Sequence, residues 1–190
     1  MIELAHQLDE PSDLARHRAR YPTGPWKDKK FLPVKLIVRR QLNLEQHGFC
    51  VYCETKLGQD DGHVEHIKSK SVNPPLTFDY SNLAHSCNGP GHCGSFKLRQ
   101  CLAIEPRPGC NRYFSLMESD GRLGAAMSLS PAEIEHVVGT VRILGLDNPS
   151  LAKRRMDLAK TIRTLPREQW SDFIASIPFR WTMLQTYRPA

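Results

Sequence analysis

Four of the six cysteines fall into two close pairs, Cys50-x2-Cys53 and, after 33 intervening residues, Cys87-x5-Cys93. Short spacing at a turn lets both sulfurs of a pair reach one ion. Four thiolates make a closed tetrahedral zinc site, which is structural because no position is left for water. In a chain that shows no secretion signal, metal binding outranks disulfides as the use of such thiols. The second pair is wider than the usual zinc spacing, and Gly89, Pro90 and Gly91 permit the turn it needs. The competing reading is four unrelated buried thiols. Cys101 and Cys110 fall outside the pattern and are expected to be core or surface thiols, although their closeness to the second pair leaves ligand substitution open.

Between the pairs lies DGHVEHIKSK, Asp61–Lys70. Two histidines and a glutamate occur within four positions on what reads as a short strand. Spacing alone leaves them as metal ligands, catalytic groups or polar residues on a solvated edge. Strand alternation puts His63 and Glu65 on one face, so His63 either ligates the same ion as Glu65 or is an exposed histidine at the strand start. Glu65 and His66 are adjacent and normally face opposite ways, so both serve one site only if the strand ends or twists there, which the following Ser69–Ser71 loop allows. His85 shares a face with Leu83 and either joins the site or packs under the second knuckle. His6, His17, His47 and His136 are given no role. Lys68, Lys70, Lys97 and Arg99 flank the strand and suit phosphate positioning, with plain solvation as the alternative.

The elements that must position these groups follow from local signals. Residues 10–20 suit a short helix ended by Tyr21-Pro22, and YPTGPWKDKK suits a loop. Pro33 fits the first turn of a helix that Gly48 stops. HVEHI and NLAHSC suit short strands, SKSVNPPLTFD an irregular loop, and GHCGSFKLRQCL the start of a helix. RYFSLMESDGRLGAAM reads as a hairpin turning at Asp120-Gly121. Ser130-Pro131-Ala132-Glu133 opens a helix by a capping box, Asp147 or Asn148 caps the next, and residues 167–187 finish as a helical tail.

Composition sets the bounds. At 190 residues and 40% hydrophobic content the chain can bury a real core, and no apolar run reaches transmembrane length. The start, MIELAHQLDEPSD, lacks the apolar stretch of a signal peptide, so the expectation is a cytoplasmic protein. The formal charge is +6, and from Arg16 to Arg40 nine basic residues face the single acid Asp28. Such density attracts polyanions through counterion release, unless it is only a solvated helix face.

The order Cys-x2-Cys, Glu65-His66, Asn82-Leu83, the second cysteine pair and Lys97 resembles the HNH nucleases. The flanks CVYCE, VEHIKSKS, LTFDYSNLAHSC, CGSFK and ILGLDNPSLAKRR resemble, more closely, the PtuB-type HNH proteins of Septu and retron anti-phage operons, over roughly residues 30–165. The resemblance implies an α+β fold, with a zinc-stabilised ββα-metal (HNH) nuclease core at 49–100. A basic N-terminal helical segment at 1–48 and a hairpin plus C-terminal helical region at 101–190 flank it. It implies that His66 activates water, that Glu65 holds a catalytic Mg2+ or Mn2+, and that Asn82 fastens the loop and positions His66. Phosphodiester hydrolysis makes sense of these types, since a histidine titrates near neutrality and a divalent ion stabilises the leaving oxygen. The family's second metal ligand, His or Asn, directly follows the last cysteine. Here that place is Gly94; His92 is the first substitute and Asn88 the second, the alternatives being an ion held by Glu65 with water and substrate phosphate, or an impaired site. A PtuA-type ATPase partner is implied by resemblance. The favoured substrate is DNA. Structured RNA, including tRNA, is the alternative substrate, and a noncatalytic zinc-knuckle module binding nucleic acid or an ATPase is the alternative class.

Overall fold

The computed structural model describes residues 1–22 and 24–187, so of the expected loop at 21–30 only Thr23 lies outside the described residues. Helix α1 (Ser12–Arg20) packs on α2 (Leu32–Glu45), which lies across the strands β1 (His63–His66) and β2 (Leu83–Ser86). Pro33 sits in the first turn of α2, where its missing N–H leaves no broken bond. The helix gives up at His47 and Gly48, both left-handed at φ 55° and 76°. Its buried Val38 and Leu42 join Leu14, Phe31, Phe78, Tyr80 and Leu83 in one hydrophobic cluster.

Strands β1 and β2 pair antiparallel, with His63 opposite Ser86, Glu65 opposite Ala84 and His66 opposite Leu83. The ladder stops just past His66 for a specific reason. Ile67 N–H still reaches the Asn82 carbonyl at 2.9 Å, but Lys68 N–H is taken by the Asn82 side chain at 2.8 Å. The helix expected after the second cysteine pair shrinks to one turn, α3 (Gly94–Lys97). Cys93 and Leu98 close it at both ends with φ of 63° and 55°. Within that turn the Cys93 sulfur and the Lys97 side chain are both buried.

Strands β3 (Phe114–Met117) and β4 (Arg122–Ala125) form the expected hairpin. Gly121, at φ 74°, is required there: a Cβ would lie 1.9 Å from the Ala152 carbonyl oxygen. Helix α4 (Pro131–Leu144) begins with the full Ser130–Glu133 capping box. Asn148 caps α5 (Pro149–Thr164), while Asp147 instead accepts from Leu123 N–H at 2.9 Å. The short helices α6 (Trp170–Ser176) and α7 (Arg180–Thr186) follow. A second, larger cluster runs without a break from the cysteines to Leu144, Ile162, Ile174 and Met183. Two polar ties fasten it to the knuckles: Cys93 N–H donates to the Leu144 carbonyl at 2.7 Å, and buried Glu54 accepts from Thr182 Oγ1 at 2.9 Å. The described chain is thus a mixture of helices and two small sheets built on a cysteine centre. Among the described residues no helix is long and apolar enough to cross a membrane.

Candidate active site and metal centre

The sulfurs of Cys50, Cys53, Cys87 and Cys93 are buried and lie within 4.8 Å of one another. Cys50 and Cys93 are 3.8 Å apart, Cys53 and Cys87 3.7 Å. A tetrahedron with metal–sulfur bonds of about 2.3 Å has edges of about 3.8 Å, so the four thiols are positioned to bind one metal ion and the fit is to zinc. The surroundings of Cys50 suit a thiolate. Cys87 N–H points at Cys50 Sγ at 3.3 Å, and Thr55 Oγ1 lies 3.1 Å from Cys53 Sγ. Burial works against ionising Cys50, yet hydrogen bonds from the other three thiols hold its pKa well below the ordinary thiol value. Cys101 is exposed and Cys110 is buried elsewhere in the core; among the described residues neither joins the four-sulfur group.

Glu65 leaves β1 toward α3. Its Oε1 meets Lys97 Nζ at 2.9 Å and its Oε2 meets His63 Nε2 at 3.3 Å. Burial alone would raise the Glu65 pKa, but His63 and Lys97 outweigh it and hold the carboxyl below its usual range. For His63, burial opposes protonation, and the bonds to Glu65 and Asn88 overcome that and raise its pKa. His63 Nδ1 is 2.7 Å from Asn88 Oδ1, an acceptor, which fixes the ring proton on Nδ1.

His66 turns the other way, as alternation requires. Its Nε2 lies 3.0 Å from the Thr77 carbonyl, to which it donates, and its ring packs edge-on against Trp26 with centroids 4.4 Å apart. Nδ1 therefore carries the lone pair, and it makes no hydrogen bond among the described residues. Burial lowers the His66 pKa to about 4, with Lys70 and Lys97 adding to it and the Thr77 carbonyl opposing. Asn82 straps the following loop with three bonds: it accepts from Lys68 N–H at 2.8 Å and donates to the carbonyls of Lys68 at 2.9 Å and Leu76 at 3.2 Å.

Several expected residues stand elsewhere. His92 does not face Glu65: its Nδ1 lies 3.1 Å from Cys93 Sγ and 3.8 Å from Cys87 Sγ, and its ring covers Gly89. Histidine next to a ligand cysteine is drawn to the thiols it can hydrogen-bond. Lys97, expected among the phosphate-binding residues, is fully buried and bonds Glu65 and the His66 carbonyl at 3.1 Å, so it reaches no phosphate. Lys68 is exposed and leans toward Glu105 at 3.7 Å; Lys70 is half-buried and Arg99 exposed. His85 is wholly buried, bound to Asn43 and to the Asp61 carbonyl, and holds α2 to the loop before β1.

Two features beside the site were not singled out from sequence. Lys35 sits 4.8 Å from the Trp26 ring centroid, and its pKa is lowered by burial and by the like charges Lys70 and Lys27. With Arg39, His63 and Val64, Trp26 and Lys35 line a groove of about 380 Å³ along β1. The basic run between Arg16 and Arg40 was the available signal, but its individual members could not be placed without the packing of α2.

The chain is 41% identical over 133 residues to a protein of Vibrio cholerae serotype O1 biovar El Tor named "Retron Vc95 putative HNH endonuclease". The match takes in 66% of this chain and 64% of that protein, so this chain spans less than two thirds of that relative's length. No family model matches the chain.

Proposed function

We propose that this chain is a metal-dependent HNH endonuclease that hydrolyses phosphodiester bonds, with DNA as the favoured substrate. The observation that carries the reading is the state of His66. Its Nε2 proton is committed to the Thr77 carbonyl, so Nδ1 is an unprotonated base at neutral pH, one residue along the strand from the buried carboxylate Glu65 and on a loop strapped in place by Asn82. The unit assigned to this chemistry is the β1–β2–α3 region within 49–100, built on structural zinc at Cys50, Cys53, Cys87 and Cys93. Residues 1–48 supply the basic flank and residues 101–190 the packing behind the cysteines.

In the proposed reaction His66 Nδ1 takes the proton of the attacking water. The water oxygen bonds to phosphorus as the bond to the 3′-oxygen breaks, and the leaving 3′-oxygen takes a proton from solvent, leaving 5′-phosphate and 3′-hydroxyl ends. Glu65 lies close enough to favour the imidazolium as it forms. A bound divalent ion, Mg2+ or Mn2+, at Glu65 supplies Lewis-acid stabilisation of the phosphate and leaving oxygen. Lys97 anchors the Glu65 carboxylate and the His66 backbone together. Lys27, Lys35 and Lys70 form a like-charged group, with Lys35 over the Trp26 ring, that makes no ion pair among the described residues and suits a phosphate backbone.

The similarity to a protein named as a retron HNH endonuclease supports this reading. The role as effector of anti-phage defence, the PtuA-type ATPase partner and a cytoplasmic location rest on the sequence resemblance and are proposed with it. The test is cleavage of supercoiled DNA and of total tRNA, with Mn2+ or EDTA, by wild type and His66→Ala, with and without the ATPase. Metal-dependent cutting that vanishes in the variant at unchanged zinc content is the expected result. Cutting of tRNA alone would change the substrate, and no cutting under any condition would leave a binding module.

A further inference from the structure

We infer that His63 Nε2 and Glu65 Oε2 form a two-donor divalent-cation site, and that its imidazole makes it select a transition ion such as Mn2+ over Mg2+. The ion's use in catalysis rests on the nuclease reading above, but the binding does not.

The geometry comes first. Two donors about 2.1 Å from one ion lie about 3.0 Å apart at a right angle and about 3.4 Å at a tetrahedral angle. His63 Nε2 and Glu65 Oε2 are 3.3 Å apart. The nitrogen is also of the right kind. Asn88 Oδ1 can only accept, so it holds the proton on Nδ1 at 2.7 Å and leaves the Nε2 lone pair to a metal. A metal-bound histidine is commonly oriented in this way by an oxygen acceptor on its other nitrogen. Lys97 does the same for the carboxylate, engaging Oε1 at 2.9 Å, so that Oε2, whose other neighbour is His63 Nε2 at 3.3 Å, can bind as a single donor when the ion displaces the proton shared with His63.

Gly94 supplies an independent observation. A Cβ at that position would lie 2.6 Å from Glu65 Oε2 and 2.8 Å from His63 Nε2. The first residue of α3 thus lacks a side chain at the point where the two donor atoms converge. Gly94 is the position after the last cysteine, where the resembled nucleases carry a ligand. Here that space is kept clear, and His63 reaches the same place from β1. His92 is spoken for by the thiols of Cys93 and Cys87. Among the described residues no third His, Cys, Asp or Glu donor completes a cluster at Glu65, which leaves positions for water and a phosphate oxygen.

Selectivity follows from the donor set. The charge of Glu65 is balanced by the buried Lys97 ammonium, so the site offers little net negative charge to a hard, strongly hydrated ion. Mg2+ is held through carboxylates, phosphates and retained water, whereas imidazole favours first-row transition ions.

The test uses the full chain with its zinc in place. Calorimetric titration with Mn2+ and with Mg2+ should show Mn2+ binding tighter, and His63→Ala should weaken Mn2+ at least about tenfold while changing Mg2+ little. Gly94→Ala should weaken both, and His92→Ala, at unchanged zinc content, neither. Pulsed EPR on wild type with Mn2+ needs no variant and should detect a directly bound imidazole nitrogen. Absence of that nitrogen coupling, or His63→Ala with undiminished Mn2+ affinity, would overturn the inference. Nitrogen-coupled Mn2+ with no cleavage of any substrate would keep this site and remove the nuclease. Cleavage with Mg2+ and no nitrogen coupling would do the reverse.

Discussion

Lys97 is the least conventional residue of the site, and its removal has a calculable effect. Its ammonium is fully buried, 2.9 Å from a Glu65 oxygen and 3.1 Å from the His66 carbonyl. At an effective dielectric of about 20, two unit charges at that separation attract by about 6 kcal/mol before desolvation is counted. Desolvation returns much of that, but taking one member away leaves the other buried and uncompensated, which costs about 3–5 kcal/mol. Lys97→Met keeps the unbranched stem as far as Cε and removes the ammonium, so packing of the stem changes little. His63 remains as a partial partner for Glu65, which puts the expected cost at the lower end, about 3 kcal/mol. The assay is urea unfolding of zinc-loaded protein for wild type, Lys97→Met, Glu65→Gln and the double variant. The double variant should be less destabilised than the sum of the singles by about 2–3 kcal/mol. Additivity within about 0.5 kcal/mol would refute the pair as an energetic unit, and with it the argument that Lys97 sets the Glu65 carboxylate.

Three further predictions come from neighbouring groups. Cys87→Ser should abolish stoichiometric zinc, read by metal analysis, and with it cooperative unfolding, because the sulfurs lie inside the larger hydrophobic cluster. The His66 ring should titrate near pH 4 by NMR; since its folded pKa is depressed below the unfolded value near 6.5, the contribution is present above pH 6.5 and is lost as pH falls to 4. That loss amounts to about 3 kcal/mol, and a midpoint near 6.5 in the folded protein would contradict the burial argument. Asn82→Ala removes three bonds to the 67–76 loop, which should cost about 2–3 kcal/mol and speed hydrogen exchange at the Lys68 amide.

Much of the frame was legible because it rests on local chemistry. The Ser130 capping box, the Asn148 cap, the Asp120-Gly121 turn and Pro33 at the start of α2 each depend on neighbours within four residues. The cysteine pairs were legible for the same reason, each being a turn with two soft ligands. What escaped sequence reasoning depends on distant chain. The orientation of His92 is set by the end of α4: Leu144 holds the Cys93 amide, and Gly145 lies so close that a Cβ there would come within 2.3 Å of the Gly91 carbonyl oxygen. Lys97 reads as a surface charge until α3 is seen to be one turn long. Residues three apart share a helix face, so the face that brings Gly94 to Glu65 also brings Lys97 there. That spacing was available in GSFK, but only the left-handed turns at Cys93 and Leu98 reveal which face points inward.

The charges behind the knuckles explain why the C-terminal helices pack on the cysteine centre and do not merely follow it. Four thiolates on one divalent ion leave a net negative charge in a low-dielectric interior. Arg155 of α5 is buried, donates to the Gly121 carbonyl at 3.3 Å and the Leu146 carbonyl at 2.8 Å, and has no carboxylate in contact among the described residues. Burial lowers its pKa, and the charges that oppose this include Glu54, Cys53 and Cys93. A buried guanidinium without an ion-pair partner is unfavourable unless a longer-range negative field compensates it; Glu54 and Asp147 contribute to that field, and four thiolates on one divalent ion would add to it. The two features should therefore be coupled. Arg155→Met should lower zinc affinity about tenfold, measured by competition with a chelator, because the positive charge favours the thiolates. The carbonyl bonds lost with the guanidinium are lost in the zinc-free and zinc-loaded states alike, so they do not contribute to that change. Unchanged zinc affinity in Arg155→Met would mean that the α5 cation and the cysteine centre are energetically independent, and that the C-terminal helices are held to the knuckles by apolar packing alone.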